Sequence, residues 1–70
     1  MGKTNPVEDH VNLMLPEGEE LIWMEIMDNS GKLLKTTTKS AENVKGLSAG
    51  QYLLKVKTNK EVYALKMLKK

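Results

Sequence analysis

Residues 21–38, LIWMEIMDNSGKLLKTTT, decide the fold. In the first seven, Ile22, Met24 and Ile26 fall on one side of an extended chain, and Leu21, Trp23, Glu25 and Met27 fall on the other, because successive side chains of a strand alternate. Glu25 marks the wet side, so Ile22, Met24 and Ile26 are expected in the core. Residues 28–31 (DNSG) form a four-residue turn in which Asn29 and Gly31 tolerate positive φ, and residues 32–38 return as a second strand. The segment reads as a β-hairpin.

The same period of two runs outward from it in both directions. Residues 11–15 (VNLML) read as a first strand, closed by the Pro16-Glu17-Gly18 turn. Residues 42–46 (ENVKG) read as a short further strand, ended by Leu47-Ser48-Ala49-Gly50. In residues 51–57 (QYLLKVK), Tyr52, Leu54 and Val56 share one face, and Leu53, Lys55 and Lys57 the other. Thr58-Asn59-Lys60 then turns the chain into residues 61–68 (EVYALKML). Two registers are open for this last strand: Val62, Ala64 and Leu68 lie with Lys66, whereas Tyr63, Leu65 and Met67 lie together. Ala64 to Leu68 also have helical propensity, but a helix here would leave a sheet edge open, so a strand is expected. The fold class is all-β: a small antiparallel β-sandwich, immunoglobulin-like, with about six to seven short strands and no long helix.

Length and composition fit that reading. A chain of 70 residues makes one domain, and folding so short a chain buries only about 60% of its unfolded surface. Apolar residues make up 40% and charged ones 29%, the balance of a folded globular domain. With no cysteine there is no disulfide, thiolate metal site or thiol nucleophile. The single histidine, His10, is expected to flank or cap a strand. No nucleophile, base and orienting group can be assembled, so neither an enzyme nor a cofactor site is expected. The net charge is +2, the lysines are spread out except for Lys66, Lys69 and Lys70, and there is no Phe; nucleic-acid binding is not expected. No apolar run reaches the roughly 20 residues that a membrane-spanning helix needs, and the opening MGKTNPVEDH lacks the apolar stretch of a signal peptide. Residues 1–4 read as a remnant ahead of a domain spanning residues 5–70, with the natural protein expected to be longer at its amino end.

Few residues suggest chemistry. Gly2-Lys3-Thr4 resembles the tail of a phosphate loop but lacks the upstream glycine, the strand before and the helix after. Glu17, Glu19 and Glu20, with Glu8 and Asp9, lack the spacing of a calcium loop and read as solvated turns. Trp23, opposite the expected core face, is equally a binding hot spot or a second-sheet or edge contact. Met14, Met24, Met27 and Met67 read as fillers of a small irregular core.

Four motifs in order carry a resemblance: NPVED (residues 5–9), MEIMDNSGKLL (24–34), LSAGQYLLKV (47–56) and the basic ending KMLKK (66–70). Together they resemble the type A C-terminal sorting domains of the type IX (Por) secretion system of Bacteroidetes. The family commonly has an aromatic-Pro lead-in before Asn-Pro, where this chain has Thr4. The resemblance implies a secretion signal read by the outer-membrane translocation machinery and removed by sortase-like cell-surface machinery. It also implies passage through the periplasm to the cell surface or medium, with no insertion into a membrane. The alternative is a free-standing sandwich module that binds glycan or protein through Trp23 or a strand edge.

The motif residues have physical readings of their own. Asn5 can hydrogen-bond the backbone two residues on, Pro6 fixes φ, and Asp9 can accept from backbone donors. Gly31, ahead of Lys32, and Gly50, after Leu47, are expected to supply conformations that a side chain opposes. Tyr52 is expected to pack its ring inward and send its hydroxyl to a backbone partner. Lys66, Lys69 and Lys70 read equally as recognition and as solubility, and removing the last two is expected to take little from the core.

Overall fold

In the computed structural model, which describes residues 7–70, the 21–38 segment is a hairpin within a larger sheet. Six strands form among the described residues: β1 (His10–Asn12), β2 (Leu21–Asp28), β3 (Leu33–Thr37), β4 (Ala41–Asn43), β5 (Gly50–Thr58) and β6 (Val62–Lys69). One four-stranded antiparallel sheet has the order β3-β2-β5-β6, and β1 pairs antiparallel with β4 as a second sheet. No helix occurs among the described residues. This is the expected all-β sandwich, but an unequal one. The central strand β5 has nine residues and its neighbours β2 and β6 have eight, whereas β1 and β4 have three each.

The core lies between the large sheet and this small lid. Met24 and Ile26 of β2, Leu54 and Val56 of β5, and Met67 of β6 are fully buried. They pack in one cluster with Val11 of β1, Leu13, Val44 just after β4, and Val7. The inner face of β5 is the one the alternation predicts, and in β6 the Tyr63, Leu65, Met67 register is the one turned inward. The large sheet's share of this core comes from β2, β5 and β6, while β3 is exposed along nearly its whole length.

The sequence reading and the structure part at several places; Met14, expected as a core filler, is 66% exposed, and others have a local reason. Ile22, expected in the core, is 45% exposed. A bulge between Leu21 and Trp23 leaves it outside the β2–β5 register, so Leu21 packs against the core in its stead. The short strand expected at 42–46 lies at Ala41–Asn43. The Asn43 side chain accepts from the Lys45 N–H at 2.8 Å, and the Leu47 N–H bonds the Val44 carbonyl at 3.0 Å, so the chain turns where the ladder would continue. The first strand is His10–Asn12 and not 11–15, since the chain leaves the β4 ladder beyond the Leu13 N–H bond to the Ser40 carbonyl. In the hairpin turn, Gly31 has positive φ (+89°) but Asn29 does not.

The ends of the described chain are joined. The Val7 N–H bonds the Leu68 carbonyl and the Lys70 N–H bonds the Val7 carbonyl, both at 2.8 Å, so Val7 forms a parallel bridge with Lys69 along the outer edge of β6. Three residues later the chain has crossed to the lid as β1.

Candidate functional site

The β2–β3 turn is organised by one carboxylate. Asp28 Oδ1 accepts from the Ser30 hydroxyl at 2.6 Å, the Ser30 N–H at 2.9 Å and the Lys32 N–H at 3.0 Å. The Ser30 hydroxyl, followed by the Lys32 backbone N–H, holds the Asp28 carboxyl below its ordinary range. Lys32 therefore serves the turn through its main chain and keeps its side chain in solvent.

Across from this turn lies the start of β5. Leu47 rests against the core and Gly50 has φ +149°, a conformation that a side chain opposes. The Tyr52 ring is 9% exposed and its hydroxyl donates to the Ser48 carbonyl at 2.6 Å. That bond ties the 47–50 connection down onto the strand it leads into. Between the two turns is an open groove of about 310 Å³, walled by Asp28 to Gly31 on one side and lined by Gln51, Tyr52, Leu53 and Lys66. Three of the four motifs thus meet at one end of the sandwich.

The three lysines singled out in the sequence do not cluster as a unit. Lys66 points to the outer face and lines the groove. Lys70 is exposed, and its N–H closes the bridge to Val7. Lys69, expected to be dispensable to the core, is 8% exposed. With Met67 turned inward, alternation places the residue two further on inward as well. Its aliphatic stem is covered while Nζ reaches the Lys70 main-chain oxygen at 2.8 Å.

The remaining motif residues are backbone partners. The Asp9 carbonyl accepts from the Val44 N–H at 2.8 Å, which fixes the start of β1 to the end of β4, and the Asp9 side chain is exposed. Asn5 and Pro6 lie outside the described residues. His10 is the exposed first residue of β1. Trp23 is half-buried on the outer face of the large sheet, in register with Lys57 and on the side away from the core.

One constellation was not foreseen. At the opposite end of the sandwich, the Glu19 carboxylate accepts from the Tyr63 hydroxyl at 2.7 and 2.8 Å and from the Thr58 hydroxyl at 2.8 Å. Beside it, the Glu20 N–H bonds the Asn59 side chain at 2.8 Å and the Asn59 N–H bonds the Glu20 carbonyl at 3.1 Å. The 16–20 loop is thereby clasped to the β5–β6 turn. Glu19 is held below its ordinary range, by Tyr63 first and Thr58 second, and the same bond pushes the Tyr63 hydroxyl well above its own. Far from being a merely solvated turn residue, Glu19 has both oxygens engaged. Its partners lie 39 and 44 residues away, beyond any local pattern in the sequence. Among the described residues, no three His, Asp or Glu side chains are placed to hold a metal ion.

Comparison with known proteins supplies the identity. No curated protein and no solved structure matches the chain. Residues 5–70 match the family model described as the secretion system C-terminal sorting domain, with all four motifs inside the match. The chain therefore belongs to the family of C-terminal sorting domains that direct proteins into type IX secretion.

Proposed function

We propose that this domain acts as a folded, non-catalytic address. Its cargo passes into the periplasm, the outer-membrane translocation machinery reads the sandwich, and sortase-like machinery removes the domain as the cargo reaches the surface or medium. The family match over residues 5–70 carries this reading. The geometry supports it: the two turns beside the groove are held by the bonds that Asp28 accepts and the bond that the Tyr52 hydroxyl donates, so a receptor meets a preformed shape.

The test is a reporter carrying a signal peptide at one end and residues 5–70 at the other, expressed in a type IX-competent host. The intact fusion reaches the surface or medium and loses the domain on the way. Retention of the intact fusion in the periplasm of several competent hosts would sink the reading. Arrival at the surface with the domain still attached would remove the cleavage step alone.

A further inference from the structure

The two faces of the large sheet are treated differently by the fold. The lid seals the inner face, whereas nothing in the described chain covers the outer one. Register places the outer side chains in rows across the strands. One row runs Lys66, Leu53, Met27, Leu33, through all four strands of the sheet. Leu33 is 50% exposed and Leu53 36%, and next to them on β6 Leu68 is 46% exposed. Side chains of this kind, contiguous and aliphatic, are the ones a monomer rarely leaves in water without a use.

Charge decides what fits. On the paired outer positions of β2, β5 and β6 there are three lysines, Lys55, Lys57 and Lys66, and one carboxylate, Glu25, which stands opposite Lys55, while the groove carries one carboxylate of its own, Asp28, whose oxygen is taken up by the turn. The groove opens at the Lys66–Leu53 end of the row, with room for an anchoring side chain. We propose that the outer-face row Lys66–Leu53–Met27–Leu33, with its adjoining groove, docks an acidic segment of a partner protein whose aliphatic side chains cover the leucines. This rests on the export reading insofar as the partner is a component of the export machinery. The lysines set encounter and orientation, and the leucines and groove supply the desolvated contact.

Because these positions are exposed, they can be changed without opening the core. The pair Lys66→Glu with Leu53→Ser, and separately Leu33→Ser with Leu68→Ser, are checked first for an unchanged melting temperature. If the first pair fails to fold, the second carries the test. In solution, the folded domain is titrated with a synthetic peptide of alternating Leu and Glu and followed by amide chemical shifts. The shifts should map to the row and the groove, and Lys66→Glu should weaken binding by about tenfold or more. Absence of shifts at millimolar peptide, or shifts confined to another surface, would overturn the proposal. So would equal or stronger binding, lost in Lys66→Glu, to vesicles of phosphatidylcholine and phosphatidylglycerol, since the surface would then be reading anionic lipid.

The same variants are placed in the reporter fusion. Retention of a folded variant alongside secretion of the intact fusion supports the proposal. Equal secretion of both overturns it and leaves the export reading standing. Where the intact fusion itself is retained, the export reading fails and the peptide titration alone decides the docking surface.

Discussion

Leu53 and Leu54 are neighbours in β5 with the same side chain and opposite surroundings. Leu54 is fully buried between Ile26 and Leu65, its partners in the flanking strands, whereas Leu53 is 36% exposed between Met27 and Lys66. The contrast repeats along β6, where Met67 is fully buried and Leu68 is 46% exposed. Aliphatic side chains occur on both faces and so do not by themselves separate the two, whereas the charged Glu25, Lys55, Lys57 and Lys66 all stand on the outer one. What separates them is a lid of two three-residue strands, β1 and β4, which commits one face to stability and leaves the other for contact.

The comparison can be broken most directly at the buried member. Leu54→Asp should abolish the folded state, because an unpaired buried carboxylate costs several kcal/mol and a sandwich of this size has about 5 kcal/mol to lose. An unshifted thermal transition would mean that the inner face has been misassigned. Next in size is the end of β6. Removing Lys69 and Lys70 deletes a covered stem and the bond from the Lys70 N–H to Val7, so the loss should be about 1–3 kcal/mol in urea unfolding, well above the few tenths a solvated tail would give. Lys70→Ala alone, which keeps the backbone bond, should change stability by less than about 0.5 kcal/mol.

The clasp adds a smaller effect with a definite pH signature. Glu19 has its folded pKa below its ordinary 4.5, so its contribution is present above that value and is lost as pH falls through the folded one. Tyr63 has its folded pKa above its ordinary 10.0, so its contribution is full below pH 10.0 and declines as pH rises beyond it. Glu19→Gln should lower the melting temperature at neutral pH, and its difference from the unaltered protein should shrink in acid. Tyr63→Phe should flatten the alkaline decline. A constant difference across the whole pH range would show that the bond does not titrate with folding. The smallest effect belongs to the exposed member of the opening pair: Leu53→Ser should move stability by no more than about 0.5 kcal/mol, and a larger loss would mean that the outer face is also core.

The strands and their faces were legible because alternation and turn chemistry are local signals. The hairpin, the inner face of β5 and the role of the Tyr52 hydroxyl could all be read within a few residues of themselves. Ile22 was misplaced because a bulge breaks the period without any glycine or proline to announce it. Lys69 was misread because charge at the end of a strand suggests solvent, whereas the pleat sends it under the sheet with its stem covered. The Glu19 clasp joins groups that only the tertiary fold brings together. The four family motifs were visible as an ordered set, but the convergence of three of them on one groove was not, since it depends on which strands become neighbours.

The pairing of Val7 with Lys69 also has a consequence for timing. Met67 belongs to the core, and the bridge joins the first described residue to the last but one. The β-sheet therefore cannot close on a partial chain: until β6 is available, the inner face of β5 lacks one flanking strand and Val7 lacks its partner. Contacts of such long sequence separation form slowly. Closure of the sandwich therefore waits until the whole of residues 7–70 is present.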